Sequence, residues 1–418
     1  MKKLLLVSAI AASTLMASGY KIPEQSLNST ALAGAYVSHT TAGDAAYFNP
    51  ANMAFMGDNK YLEANLMYIH LNPVKFEGQI IDPVPGTPTA STSESASEDF
   101  IIPQLYFVSS PLDEDGDFRV GLSLNAPGGL SKRWTDGIES QYSKEFTLSV
   151  IELNPTMSYR ILDNLAIAGG VRFVYASGKV QVPVAQIPSG QPAPADSLGS
   201  LDVEGSSWNV GWNAALSYKP FDMWGMALTY RSNVDLNVEG GQNVTNPILN
   251  GMGLTSIPAS VAVPLPAVAT VATDVSLTDS TNIEFVYERA FWSAYDELQF
   301  TFGGHLAPAQ PKNWVDSNTF RLGLTQGLGD SVDIMLGFAY DQTPVPDESL
   351  GLELPDSDAM IGSIGLRWAV NDEVEIGAAV LYDHKEDRDV AFSATQPVNG
   401  TFSGSSAILA SFGLGYKF

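Results

Sequence analysis

The final segment, Ala407 to Phe418, alternates with a two-residue period. Ile408, Phe412, Leu414, Tyr416 and Phe418 fall on one face of an extended chain, and Ser411, Gly413, Gly415 and Lys417 on the other. A strand that is apolar on one face, small or polar on the other, and finished by an aromatic residue has the pattern of a barrel wall between lipid and lumen. The same period recurs upstream. Trp208, Val210, Trp212, Ala214, Leu216 and Tyr218 oppose Ser207, Asn209, Gly211, Asn213, Ala215 and Ser217, and Ile334, Leu336, Phe338 and Tyr340 oppose Asp333, Met335, Gly337 and Asp341. Beyond the amino terminus no stretch reaches the roughly 18 unbroken apolar residues of a spanning helix. If this chain crosses a bilayer it does so as strands closed on themselves, since lipid offers no partner to a free sheet edge.

The amino terminus carries an export pattern. Met1-Lys2-Lys3 is a basic start, Leu4 to Met16 an apolar core and Ala17-Ser18-Gly19 a small-residue processing stretch, so residues 1–19 read as a signal peptide cleaved near 17–19. The mature chain then begins near Ser18 or Tyr20. A mean hydropathy of +0.03 with Gly 37, Phe 19 and Tyr 16 suits faces that average out. The absence of cysteine removes thiol and disulfide chemistry, and a net charge of −25 argues against nucleic acid as partner. The acidity is expected in solvated loops and turns, either bridged by divalent cations at a lipopolysaccharide surface or serving solubility alone.

Turns count the strands. Short connections carry turn chemistry at Asp113-Glu114-Asp115-Gly116, Asp163-Asn164, Pro220-Phe221-Asp222, Thr278-Asp279-Ser280, Gly327-Leu328-Gly329-Asp330 and Asn371-Asp372. Long polar or Pro/Ser-rich ones lie at about 72–98, 130–144, 183–205, 240–262, 304–316, 344–357 and 386–403. Six short periplasmic turns alternating with seven long extracellular loops join about 14 strands. The expected fold is all-β, a 14-stranded antiparallel transmembrane barrel over residues 59–418. Residues 20–58, rich in small residues and without alternation, are expected to fold into the lumen as a hatch, because a disordered tail would expose Tyr36, Tyr47, Phe48, Met53, Phe55 and Met56.

Several blocks make the pattern specific. Gly19-Tyr20-Lys21-Ile22-Pro23-Glu24-Gln25-Ser26, Ala33-Gly34-Ala35-Tyr36, Ala42-Gly43-Asp44-Ala45-Ala46 and Asn49-Pro50-Ala51 resemble, in order and spacing, the hatch of the FadL-type long-chain fatty acid and hydrocarbon transporters. Glu288-Arg289-Ala290-Phe291-Trp292-Ser293, Asn313-Trp314-Val315-Asp316-Ser317, Gly337 to Pro346 and Leu354-Pro355-Asp356-Ser357-Asp358 resemble that family's carboxy-terminal half. The end of the chain likewise resembles the signal read by the barrel assembly machinery. The resemblance implies a monomer in the outer membrane of a Gram-negative bacterium, plugged by the hatch and transporting hydrophobic molecules.

An apolar molecule needs a path past the polysaccharide and a sideways exit into lipid, hence a gap in the wall. In Asp117 to Trp134, alternation runs from Phe118 to Leu124 and then breaks at Asn125-Ala126-Pro127-Gly128-Gly129. Pro127 cannot donate to the ladder and the glycines permit a bulge. Phe118 to Leu124 is shorter than the roughly 9–11 residues of a tilted strand, so the proline is placed inside the wall. The resemblance implies a lateral window there in the third strand, with Asn49, Pro50 and Ala51 of the hatch beside it.

Strand phase turns Arg172, Arg231, Arg321 and Arg367 inward, where each could hold a carboxylate or pair with Glu152, Glu284, Glu288 or Asp333. Fatty-acid transporters of the family carry a basic residue shortly after Val-Tyr-Ala. Here Val174-Tyr175-Ala176 is followed by Lys179 and no arginine, which leaves neutral hydrocarbons open as cargo. Ile257, Val261, Val263 and Leu265 form an apolar extracellular connection that with Trp134 either collects ligand or packs loop on loop. Two other classes stay in view, a general diffusion porin and an outer-membrane lipase. His39, His70, His305 and His384 stand in no spacing that marks a catalytic triad or metal site, so no catalytic residue, metal or cofactor is expected.

Overall fold

The computed structural model describes residues 19–82, 86–183, 200–244, 256–393 and 396–418. Nearly all of the expected signal peptide, together with residues 184–199 and 245–255 of two expected loops, lies outside them. Fourteen antiparallel strands form a closed wall. These are β1 (Tyr61–Leu71), β2 (Glu98–Val108), β3 (Phe118–Arg133), β4 (Glu145–Leu162), β5 (Leu165–Pro183), β6 (Ser200–Phe221), β7 (Trp224–Arg231 and Val234–Val244) and β8 (Ser256–Leu265 and Val268–Thr278). The wall continues as β9 (Thr281–Ala290), β10 (Ser317–Leu328), β11 (Val332–Asp341), β12 (Ala359–Ala369), β13 (Val374–Lys385) and β14 (Ser406–Lys417). Neighbours in sequence are neighbours in the sheet, and β14 closes on β1 from Tyr61↔Lys417 to Leu71↔Ala407.

The two faces read from the alternation are the two sides of this wall. Trp208, Trp212 and Phe412 are 70%, 52% and 61% exposed toward the lipid, whereas Asn213, Ser217 and Ser411 are buried inside. Phe221 stacks on Trp224 and Tyr416 on Phe418 at the short-turn end, as interfacial aromatics do.

The long connections hold more strand than expected. Residues Lys75–Ile81, Pro88–Glu94, Arg388–Val390 and Val398–Ser403 form a separate four-stranded sheet above the wall, joined by Phe76 against Phe402. The described parts of the expected loop at 240–262 are wall: Val234–Val244 pairs with Ser256–Leu265, with Pro258 and Pro264 inside the ladder. Prolines that read as loop punctuation sit here in the part of the barrel above its break at Pro266-Ala267.

Residues 20–58 lie inside the barrel. They form helix α1 (Leu27–Ala31), helix α2 (Ala45–Phe48) and a 3-10 turn over Pro50–Phe55. Ser26 caps α1 by accepting from Ser29 N, and Asn49 caps the 3-10 turn by accepting from Ala51 N with Pro50 at its first position. The helix α1 packs on β11 to β14 and the 3-10 turn on β3 to β6. Wall side chains then fix the backbone. Glu284 accepts from Val37 N and Ser38 N at 2.6 Å and from His39 N at 3.1 Å, while Arg321 donates to Ala33 O at 2.9 Å.

Close approach on β11 depends on one missing side chain. A Cβ at Gly337 would stand 2.1 Å from Leu32 C and 2.4 Å from Ala33 N. Gly337→Ala is therefore expected to push the hatch off the wall at a cost of about 1–3 kcal/mol. Single-channel recording checks this: more frequent openings than in the natural protein are expected, and identical traces would contradict the close packing.

Candidate functional site

The ladder between β2 and β3 is short. It runs only from Val108↔Gly121 to Leu105↔Leu124, although β3 stays paired with β4 up to Arg133↔Glu145. Between Asn125 and Gly128 the β3–β4 register shifts, a bulge around Pro127. Above Leu124 the two strands part, and they meet again where Arg133 Nε donates to Glu98 Oε1 at 2.9 Å and Ala96 N to Arg133 O at 2.8 Å. The result is an opening with a sill and a lintel. Pro103 lies on its β2 side, where an unpaired edge tolerates a residue that cannot donate.

The amino-terminal arm takes the place of the lost strand partner. Ile22 N donates to Pro127 O at 3.0 Å and Gly129 N to Tyr20 O at 2.8 Å. Gln25 spans Ala126, its Nε2 donating to the carbonyl at 2.8 Å and its Oε1 accepting from the amide at 3.0 Å. Asn125 to Gly129 are all buried under this arm. Gln104 and Ser123, on the inner edge of the opening, are buried without a hydrogen-bond partner.

The same arm ends in an apolar chamber above. Tyr20 is 4.7 Å from Trp292 and 5.9 Å from Trp314 between ring centroids, and its hydroxyl donates to Pro264 O. Leu130, Leu148, Val238, Val261, Val263, Tyr295 and Phe300 line the chamber, in which about 50 Å³ is left free. Below it a pocket of about 80 Å³ is bounded by Pro127, Leu265, Tyr47 and Phe48 and by Arg172, Arg231 and Arg321. Neither space admits a ligand of ordinary size, about 300 Å³ or more, unless the arm moves.

Burial also tunes the hatch. Glu24 is pushed up to about 7 by its burial, with the Arg321 guanidinium opposing, and Asp44 likewise to about 7 by burial and then by Glu63. A carboxyl that holds its proton only when buried makes the packed form bind more protons, so seating weakens as pH rises from the ordinary carboxyl range to about 7.

The family model described as outer membrane protein transport protein (OMPP1/FadL/TodX) matches residues 8–418. The chain belongs to this family. It is 26% identical to the 47 kDa outer membrane protein of Pasteurella multocida over 94% of this chain and 95% of that one. It is also 26% identical to a long-chain fatty acid transport protein of Escherichia coli over 68% of this chain and 69% of that one. Among solved structures, a Pseudomonas aeruginosa FadL homologue superposes with a TM-score of 0.83 at 20% identity, covering 96% and 99% of the two chains. The Pseudomonas putida toluene transporter TodX does so at 0.73 and 17%, covering 94% and 98%. As a FadL/TodX-family member the protein is an outer-membrane transport barrel, and the family is one of transporters, not enzymes.

Several expected site residues have other neighbours in this FadL/TodX-family barrel. Asn49 donates to Val37 O and Ser217 Oγ, both at 2.8 Å, and Ala51 packs with Ala166 and Ala215, so Asn49, Pro50 and Ala51 lean on β5 and β6. It is Tyr20 to Gln25 that touch the opening. Of the five basic residues, Arg172, Arg231 and Arg321 meet at the lower pocket, whereas Arg367 and Lys179 stand apart from it. Arg172 and Arg231 share Glu152, Arg321 lies 3.6 Å from both Glu24 and Glu288, Arg367 holds Glu63 and Glu375, and Lys179 holds Glu145 at 2.7 Å. Inward charges in a lumen of low dielectric find partners, and these do. Arg231 and Arg321 both line the lower pocket with a guanidinium nitrogen, Nη1 and Nη2 respectively, that makes no hydrogen bond, and the Arg231 guanidinium lies 4.2 Å from the centre of the Tyr47 ring. Val261 and Val263 line the chamber and Leu265 the pocket below, while Ile257 faces Gly303 and Trp134 is buried, donating to Leu352 O at 2.8 Å. Sequence reasoning missed Tyr20, Tyr295 and Phe300. Their only signal was aromatic residues clustered in segments without alternation.

Proposed function

We propose that this protein takes up hydrophobic molecules, long-chain fatty acids or hydrocarbons, passively and releases them sideways into the bilayer between β2 and β3. One observation carries the reading: among the described residues the opening above Leu105↔Leu124 is bridged by the arm whose Tyr20 also lines the apolar chamber. A molecule that displaces Tyr20 from Trp292 and Trp314 loosens the bonds at Pro127 and Gly129 with the same movement. Cargo binding and uncovering of the exit are thus one event. A filled lumen speaks against an open diffusion pore. Uptake of a radiolabelled long-chain fatty acid and of a monoaromatic hydrocarbon by a transporter-deleted bacterium expressing the protein tests the assignment, and uptake of neither would remove it.

Arg231 bears on cargo class. It lines the lower pocket with Nη1 making no hydrogen bond, and Glu152 would stay paired with Arg172 if Arg231 were lost. Arg231→Met keeps the apolar stem, and is expected to raise the half-saturating fatty acid concentration about tenfold, the scale of one charged hydrogen bond of about 1.5–3 kcal/mol. Hydrocarbon uptake should be unchanged. Equal loss for both ligands would show that Arg231 supports the wall and reads no headgroup.

A further inference from the structure

A large hollow lies outside the lumen. A hollow of about 770 Å³ indents the lipid face of β2 to β5, walled by Phe107, Leu122, Pro155, Met157, Ile167 and Val171. Its size is that of a ligand site, about 300–1,000 Å³. Its upper rim is the pair Phe107↔Leu122, two residues below Leu124, where β3 leaves β2. The hollow therefore begins at the sill of the opening.

Two features keep it a hollow with a closed floor. Gly169 faces outward between Ile167 and Val171, next to Met157, and contributes no side chain. Nothing in the fold demands glycine there: its φ is not in the left-handed region, and the nearest atom to an added Cβ would be Asn213 O at 3.5 Å. Pro155 lacks the amide that would face β5, and Asn154 Nδ2 donates to Val171 O at 2.9 Å in its place. The wall stays shut behind the hollow.

We propose that this hollow is an exit site that holds the hydrocarbon body of the transported molecule after it passes the sill, before it mixes with lipid. The assignment rests on the sideways-release reading above. Its chemistry favours the cargo over a resident phospholipid. No charged side chain lines it; Thr156 and Ser158 are buried, 4% and 1% exposed, on the inward side of β4, and Tyr159 is exposed at the end away from the opening, opposite Phe118. A charged headgroup finds no charged partner and a single hydroxyl, that of Tyr159, whereas an alkyl chain or aromatic ring finds a fixed apolar wall.

Gly169→Phe fills the hollow from its floor. Gly362→Phe is the control, because Gly362 faces lipid on β12 with nothing within 4 Å of an added Cβ. Initial uptake rates of the fatty acid are compared at equal amounts of folded barrel. Gly169→Phe is expected to slow uptake severalfold, Gly169→Val less so, and Gly362→Phe not at all. The conclusion is drawn from whichever Gly169 variant folds. Natural rates in a folded Gly169 variant, or equal slowing by Gly362→Phe, overturn the exit site. A variant with the opening sealed by valines at 127–129 runs in parallel: if it is inactive while the Gly169 variants transport normally, sideways release stands and the exit site falls. If it transports normally, both fall.

Discussion

Replacing Pro127, Gly128 and Gly129 together by valine is expected to cut uptake about tenfold or more, the effect of raising a barrier by about 1.4 kcal/mol or more. Valine restores an amide at 127 and favours an extended chain at all three positions, so β3 can continue alongside β2. A Cβ at 128 would also come 3.1 Å from Tyr20 O, displacing the arm. The two consequences oppose each other under the two possible routes. A straight path through the lumen would be widened by a displaced arm and uptake would rise; sideways release loses its opening and uptake falls. The sign of the change, measured in cells at equal barrel levels, separates them.

The second large effect is on stability. Glu152 is fully buried between Arg172, which donates to it from Nε at 2.8 Å, and Arg231. Glu152→Ala strands two guanidinium groups inside the wall, and breaking such a buried pair costs about 3–5 kcal/mol. The purified variant is expected to lose its compact, heat-modifiable form in detergent well below the natural protein's transition. Glu152→Gln, which keeps hydrogen-bond acceptance without charge, should fall between them. An unchanged transition for Glu152→Ala would mean that water or relaxation carries the charge of the two arginines.

Much of this architecture is legible in the sequence because a barrel wall writes its two faces into every second residue. Trp208 to Tyr218 and Ile408 to Phe418 announce lipid on one side, and turn residues such as Asp163-Asn164 mark the ends, which suffices to reach 14 strands. Pro127 with its two glycines marks the broken strand for the same reason: three residues unsuited to a ladder interrupt a clear period. Alternation says which way a side chain points and nothing about what it meets across the lumen. Glu24 and Arg321, or Glu284 and Val37 to His39, are far apart in sequence, so the pairing of the arginines and the anchoring of the hatch were beyond its reach. The strand Ser256–Leu265 reads as a loop for the opposite reason, since Pro258 and Pro264 sit within its ladder, in the part of the wall beyond the break at Pro266-Ala267. The contact of Tyr20 to Gln25 with the kink has no local signature at all.

The path of the cargo can be read directly by cross-linking. Cells expressing the natural protein are given a fatty acid bearing a photoreactive group near its tail, irradiated during uptake, and the labelled peptides are identified by mass spectrometry. Sideways release predicts label in the chamber and then on both sides of the opening, in 98–108 of β2 and 124–130 of β3. Label that passes from the chamber to the periplasmic cavity at Tyr36, Asn282, Thr325 and Asp333, leaving β2 and β3 unmarked, would contradict it.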